Sequence, residues 1–263
     1  PIVVIHEVAG DHRSLEAQVR FLSRANRCIT FDSRGYLPSD VPEVPEAYGQ
    51  DTARGDVVAI LDGLRLEKVH LVGHSMGAYT ALHVAIQHPE RCLSVTTIGC
   101  GWGSSRHDPE ERAAMCADIT QMFREEPMAQ AAAKYSRLPM RRAFEAKDPR
   151  GFAEFENALA DHSAKGLALT MSQVQAKRPT LWDLEEPLSQ LEVPLLVSVG
   201  DEDDPCLDGS VFLKRTVPMA ALIVVPRSGH TLTLEDPATI NAALPELFGT
   251  VANGTWMAHR KEL

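Results

Sequence analysis

Residues 68–80 constrain the fold of this chain more than any other stretch. They begin with a short apolar β-run, and beyond position 77 apolar side chains recur at helical spacing. Between these two parts lies Gly73-His74-Ser75-Met76-Gly77, which fits the pattern G-x-S-x-G. A strand that turns at once into a helix holds the residue at the turn in a strained conformation, and side chains at 73 and 77 would collide with the neighbouring backbone.

The turn gives Ser75 a special environment. We expect its Oγ to project at the carboxyl end of the strand, with the N-terminus of the following helix beneath it. The free N–H groups at that helix end favour a developing negative charge. The alternative is a serine in an ordinary strand-to-helix turn, but the joint occurrence of strand, glycines and helix favours the first interpretation.

The composition allows one large α/β domain, alone or with an insertion. The chain has 263 residues, of which 44% are hydrophobic and 24% charged. Its net charge of −10 argues against nucleic acid or an anionic membrane as a partner, and no apolar run reaches the length of a membrane span. Five cysteines without a C-x-x-C pair predict a reducing, cytoplasmic location.

Strand-like runs alternate with helical patterns in both end regions of the chain. The runs lie at residues 1–5, 28–32, 69–72, 92–98, 193–199 and 221–225. This alternation predicts an α/β fold, with a mostly parallel central sheet, helices on both faces and working residues at the carboxyl ends of strands. Because the sequence opens inside such a run without an initiator Met, we expect further residues upstream of position 1.

Residues 101–192 contain no convincing strand and carry helical patterns instead. Asp108-Pro109-Glu110-Glu111 is typical of a helix start, with an N-cap followed by proline and acids. The segment also holds five of the eight methionines, namely Met115, Met122, Met128, Met140 and Met171. We predict a helical lid at 101–192, inserted into a core domain of residues 1–100 and 193–263. The alternative is a set of ordinary flanking helices.

A serine hydroxyl needs a neutral base to take its proton, and that base needs an orienting acid. We predict His230 as the base, because it follows the last strand in a Ser-Gly-His loop before a helix. The alternatives near predicted strands or the turn are His6, His70, His74 and His83. We expect the remaining histidines at the surface: His12, His88, His107, His162 and His259.

The orienting acid should follow the penultimate strand, where four acidic residues crowd together at 201–204. Asp203 is the favoured residue, with Asp201 and Asp204 as alternatives. These carboxylates lack a spaced set of partner ligands, so we predict no metal site.

Four motifs together resemble the α/β-hydrolase-fold superfamily, in particular its lidded, esterase-like serine hydrolases. The G-x-S-x-G turn resembles the nucleophile elbow of that family, and the chain order Ser, Asp, His is the family's order. Gly200 to Asp203 resembles its G-x-x-D acid turn, and Ser228-Gly229-His230 its base loop. Phe31-Asp32-Ser33-Arg34-Gly35-Tyr36, followed by Ser39-Asp40, resembles its D-x-R-G-x-G…S stretch, from which Tyr36 and Leu37 depart.

The resemblance also implies an oxyanion hole formed by the backbone N–H groups of Met76 and Val8. One departure lies beside it, because the usual His-Gly is His6-Glu7 in this chain. Backbone donors tolerate a changed side chain, but glutamate restricts φ and brings a carboxylate near the site. Glu7 either faces solvent or a polar neighbour, or it contacts substrate or positions a water molecule.

The resemblance implies a serine hydrolase with a Ser75, His230 and Asp203 triad, and no cofactor. We expect a small to medium, partly apolar ester, thioester or lactone as substrate, in a pocket near Glu7, Trp102 and Met122. Hydrolysis of a carbon–carbon bond in a diketone-type substrate is the alternative reaction. A slow-turnover, receptor-like ligand-binding protein is the alternative from another class.

Overall fold

The computed structural model describes residues 1–104 and 109–257. Within them lies a six-stranded sheet whose neighbouring strands are all parallel. The strands are β1 (Ile2–Ile5), β2 (Cys28–Thr30), β3 (Val69–His74), β4 (Cys92–Ile98), β5 (Leu195–Gly200) and β6 (Ala220–Val225). Their spatial order is β2-β1-β3-β4-β5-β6, which confirms the predicted parallel sheet.

Twelve α-helices lie in the described residues. The first three are α1 (Glu16–Leu22), α2 (Gln50–Gly63) and α3 (Met76–Gln87). Between β4 and β5 follow α4 (Pro109–Glu125), α5 (Met128–Ser136), α6 (Arg142–Lys147), α7 (Pro149–Ala160), α8 (Ala164–Leu169) and α9 (Glu185–Ser189). The last are α10 (Asp204–Thr216), α11 (Leu232–Glu235) and α12 (Pro237–Ala252). Among the described helices, none combines the length and the apolar character that crossing a membrane requires.

Alternate residues of the strands enter two separate hydrophobic cores. Ile2 and Val4 pack in the core that α1 and α12 cover, whereas Val3 and Ile5 pack in the core that α2 and α3 cover. Successive side chains of a strand point to opposite faces, so a parallel sheet with both faces covered needs an apolar residue at nearly every position. The predicted helices on both faces are therefore confirmed.

The helices between β4 and β5 form a third apolar cluster over the carboxyl ends of the strands. The rest of the chain contributes Val8, Tyr36 and Met76, and these helices contribute Ile119, Phe123, Tyr135, Phe144, Phe155 and Leu159 among others. We call this set of side chains the roof cluster. In the described residues of the segment 101–192 there is no strand, as the sequence predicts.

Several local predictions differ from the structure. The sequence predicts a helix at about 208–217, whereas α10 begins at Asp204, because Pro205 fits the first turn of a helix. The short helices α9 and α11 are not predicted, since four or five residues carry too little periodicity. Helix α4 begins at Pro109, as expected, whereas its predicted N-cap Asp108 lies outside the described residues.

Candidate active site

The turn between β3 and α3 holds Ser75 in a conformation rare for a residue with a side chain, at φ 51° and ψ −108°. Its flanking glycines explain how the turn is built. A Cβ on Gly73 would lie 2.2 Å from the carbonyl oxygen of Gly77, and a Cβ on Gly77 would lie 2.2 Å from that of Ile5. The N-terminus of α3 therefore packs directly against β1, with Ser75 at the carboxyl edge of the sheet.

His230 and Asp203 form a buried pair. The Nδ1 of His230 lies 2.8 Å from Oδ2 of Asp203, and both residues are almost wholly shielded from solvent. Because a carboxylate only accepts, His230 donates its Nδ1–H, which leaves Nε2 of the neutral ring as an acceptor. This is the tautomer that a base facing a hydroxyl requires.

The other acids of the 201–204 loop do not reach His230. Glu202 and Asp204 are exposed. Asp201 is also exposed, and its Oδ1 accepts the backbone N–H of Ser228 at 3.1 Å. Asp201 thus ties together the two loops that carry Asp203 and His230, without contacting the imidazole.

Gly99, at the end of β4, permits the close approach of this pair to the strand ends. Its φ of +57° favours glycine, and a Cβ there would lie 3.1 Å from Nδ1 of His230 and 3.3 Å from Oδ2 of Asp203. Gly99 is not among the site residues predicted from the sequence, although the glycine-rich run 99–103 after a strand is a usable signal. Buried Cys206 completes the surroundings, with Sγ 3.7 Å from Nδ1 of His230.

One contact joins the His230 loop to the turn that carries Ser75, and a second joins Ser75 itself to β4. The Nε2–H of His74 donates to the carbonyl oxygen of His230 at 2.7 Å, and the backbone N–H of Ser75 donates to Ile98, the neighbour of Gly99, at 2.8 Å. Ser75 is 9% exposed, and its Oγ makes no hydrogen bond within the described part of the chain. Catalytic hydrogen bonds are often long before substrate binds, so this geometry is compatible with a serine–histidine pair.

Two of the alternative histidines have other hydrogen-bond partners, and the other two are kept neutral by burial. His6 accepts the N–H of Ser33 at Nε2, and His70 contacts Ser94 at 2.7 Å. Burial lowers the pKa of His74 and of His83 to about 4, which keeps both rings neutral. His162, which we expected at the surface, is buried instead, because its ring packs edge-on against Tyr36 at 5.3 Å. His107 and His259 lie outside the described residues.

Tyr36, a departure from the family pattern, supports the loop of Val8. Its hydroxyl donates to the carbonyl oxygen of Val8 at 2.9 Å, and its ring lies 4.6 Å from that of His6. The N–H of Val8 donates to no acceptor in the described residues. Met76 is the first residue of α3, where a helix supplies no acceptor for the N–H.

Glu7 is wholly buried, and its neighbour is the equally buried Arg141, which precedes α6. The guanidinium donates to both carboxylate oxygens, from Nη1 to Oε1 at 3.2 Å and from Nη2 to Oε2. Burial alone would raise the pKa of Glu7, but the charge of Arg141 lowers that pKa to about 2. Glu7 is therefore a charged carboxylate with a cationic partner, away from solvent. Sequence patterns give no signal for this pairing.

Trp102 and Met122, the other residues of the predicted pocket, are half-buried and pack against the roof cluster. That cluster includes Val8 and Met76, which flank the site. Apolar side chains of the helical segment therefore pack beside the site, next to the charged pair of Glu7 and Arg141.

Two groups of three potential metal ligands lie in the site, with ligand atoms within 4.8 Å of one another: Glu7, His74 and His230, and Asp203, Cys206 and His230. In the first group Arg141 already neutralises the carboxylate, and in the second Asp203 accepts the proton of His230. A third group, Asp11, His12 and Asp32, lies elsewhere, and its Asp11 pairs with Arg13. We assign no metal to these groups.

Known proteins resemble the chain along most of its length. The putative 2-succinyl-6-hydroxy-2,4-cyclohexadiene-1-carboxylate synthase of Bacillus subtilis is 24% identical over 95% of this chain and 90% of its own. The 3-oxoadipate enol-lactonase 1 of Acinetobacter baylyi is 27% identical over 90% of this chain and 84% of its own. The structure of MenH from S. aureus superposes with a TM-score of 0.86 at 17% identity, covering 96% of this chain and 94% of that one.

The family pattern described as the alpha/beta hydrolase fold matches residues 1–237. Together with the sheet order and the relatives above, this match supports a hydrolase. The chain belongs to the alpha/beta hydrolase fold family.

Proposed function

We propose that the protein is a serine hydrolase that cleaves an ester, thioester or lactone through an acyl-enzyme, with Ser75, His230 and Asp203 as its triad. The observation that carries the proposal is the buried hydrogen bond between His230 and Asp203, next to a turn that holds Ser75 at φ 51°. A lactonase among the relatives supports this substrate class.

In the proposed reaction, Nε2 of His230 takes the proton of Ser75 as Oγ attacks the carbonyl carbon. The N–H groups of Met76 and Val8 hold the resulting oxyanion. When the tetrahedral intermediate collapses, the alcohol or thiol leaves with the proton from His230. Water then attacks the acyl-enzyme and gives a proton to His230, and Ser75 regains that proton as the acid departs.

Asp203 keeps His230 in the required tautomer and stabilises the imidazolium that forms in each step. We further propose that residues 101–192 act as a lid on a core of residues 1–100 and 193–263. The apolar roof cluster supports a small to medium, partly apolar substrate near Trp102 and Met122. Five free cysteines support a cytoplasmic location.

A substrate panel tests the proposal. Aryl esters of short and medium acids, aliphatic lactones and acyl thioesters are compared with β-diketones, using the wild-type protein, Ser75→Ala and the exposed-serine control Ser23→Ala. We expect turnover of at least one carboxylic ester class, lost in Ser75→Ala and kept in Ser23→Ala. Cleavage of diketones alone would support the carbon–carbon hydrolase, and stoichiometric binding without turnover would support the receptor-like alternative; either result overturns the proposal.

A further inference from the structure

The segment from Pro139 to Lys147 contacts the loop of His230 at three points. The carbonyl oxygen of Met140 accepts the backbone N–H of His230 at 2.8 Å. Nη1 of Arg141 donates to Oγ1 of Thr231 at 2.9 Å, and Nζ of Lys147 donates to Oγ of Ser228 at 2.7 Å. The backbone position of the proposed base is thus set by a segment that lies between β4 and β5 in sequence.

Arg141 joins the same segment to the loop that carries the proposed oxyanion donor. Its guanidinium contacts both carboxylate oxygens of Glu7, the residue directly before Val8. It also lies over the rings of Tyr135 and Phe155, at 5.6 Å and 5.0 Å from their centroids. A planar group held by two carboxylate bonds and two rings has little freedom, so one side chain fixes two loops relative to each other.

The ion pair of Glu7 and Arg141 also affects His74, which holds the loop of His230. Because the Nε2–H of His74 donates to the carbonyl oxygen of His230, its unprotonated Nδ1 has no hydrogen-bond partner within the described residues. This Nδ1 lies 3.8 Å from Oε1 of Glu7, so two acceptors face each other. The arrangement is stable only while Arg141 neutralises the carboxylate, since a lone buried charge would be very costly.

We propose that Glu7 and Arg141 are positioning residues, which hold the N–H of Val8 and the imidazole of His230 in register. The segment from Pro139 to Lys147 is then a fixed part of the catalytic apparatus, and opening of the proposed lid leaves it in place. This inference rests on the proposed function. It also gives Glu7 a role, the binding of Arg141, at a position where the family resemblance implies glycine.

Variants that separate folding from positioning test the inference. We compare Glu7→Gln, Arg141→Met and the double variant Glu7→Gln/Arg141→Met, using kcat, KM and Tm with an ester substrate of the wild type. The single variants leave one charge buried and unpaired, so we expect a lower Tm and a kcat reduced about 100-fold, with KM changed less than about threefold. The double variant removes both charges, so we expect its Tm to recover while its kcat stays at least about tenfold low.

The control is the exposed pair Arg150 and Glu154 of α7, replaced as Arg150→Met/Glu154→Gln, which should leave kcat unchanged. Recovery of both Tm and kcat in the double variant would mean that the pair is only structural and would overturn the inference. Single variants with wild-type kcat would do the same. A wild-type protein without Ser75-dependent turnover would instead overturn the proposed function.

Hydrogen exchange on the wild-type protein gives a second, independent measurement that needs neither variants nor turnover. We expect the amides of residues 140–147 to stay protected, both in the free protein and after a fluorophosphonate is added as an active-site probe. Exchange of these amides as fast as that of an unstructured peptide, in either sample, would contradict a fixed segment.

Discussion

Asp203 and Asp201 lie two residues apart in one loop, yet only the first meets the imidazole of His230. The difference arises from burial, because Asp203 is enclosed beside Gly99, whereas Asp201 is exposed and accepts a backbone N–H from Ser228. A carboxylate acts on a histidine tautomer only through direct contact. The direct contact with Nδ1 of His230 therefore assigns the role of orienting acid to Asp203 and not to Asp201.

We predict that Asp203→Asn lowers kcat about 1000-fold or more, because an amide can donate to Nδ1 and thereby favour the wrong tautomer. Asp201→Asn keeps an acceptor oxygen for Ser228 and should change kcat less than about threefold. Steady-state kinetics on the same ester, with circular dichroism to confirm folding, compares the two variants. If Asp201→Asn lost more kcat than Asp203→Asn, Asp203 would not be the residue that orients His230.

At the scale of elements, the contact between α3 and β1 sets the geometry of the site. Gly77 brings the first turn of α3 against the carbonyl of Ile5, and this approach positions both Ser75 and the N–H of Met76. Gly55, in the middle of α2, has no such neighbour, since a Cβ there would meet nothing within 4 Å. Glycine is thus required for close packing at position 77, whereas at position 55 no neighbouring atom requires it.

We predict that Gly77→Ala destabilises the fold by about 3 kcal/mol or more, because the backbone of two packed elements must separate. Gly55→Ala should instead stabilise the protein by about 0.5–1 kcal/mol, since alanine restricts the unfolded chain and favours a helix interior. Urea denaturation followed by circular dichroism measures both changes. A Gly77→Ala protein as stable as wild type would contradict the packing described for the turn.

Much of this architecture was predictable from the sequence, for reasons that lie in local chemistry. β-branched runs marked the strands, and the glycines at 73 and 77 marked the turn, because both depend on neighbouring residues alone. The pairing of Glu7 with Arg141 was not predictable, since 134 positions separate the two and many arginines are available. The prediction that His162 lies at the surface was wrong for the same reason, because its burial depends on contact with Tyr36, which is distant in sequence.

On the scale of the whole molecule, several histidines are buried or half-buried in neutral form. Burial lowers the pKa of His70, His74 and His83 to about 4, from an ordinary value of 6.5. The unfolded chain therefore binds protons near pH 6.5 that the folded chain binds only near pH 4. Between these values the unfolded state holds more protons, so the free energy of unfolding falls as the pH falls.

We predict that this free energy is clearly lower at pH 5 than at pH 7.5, with about 2 kcal/mol of the difference due to His74 alone. Below pH 4.5 the loss continues, because Glu7 is protonated near pH 4.5 in the unfolded chain but only near its lowered pKa of about 2 in the folded chain. Urea titrations at the two pH values measure the effect, and His83→Gln should reduce it. Stability that is constant or rises on acidification would contradict neutral burial of these rings.

The central claim is that Ser75 is a nucleophile activated by His230. It is tested most directly by labelling with a fluorophosphonate at neutral pH, followed by peptide mass spectrometry of the wild type and of His230→Gln. The account predicts one phosphonate per chain on Ser75 in the wild type, and labelling at least about 100-fold slower in His230→Gln. Labelling of another residue, or equal rates in the two proteins, would contradict it.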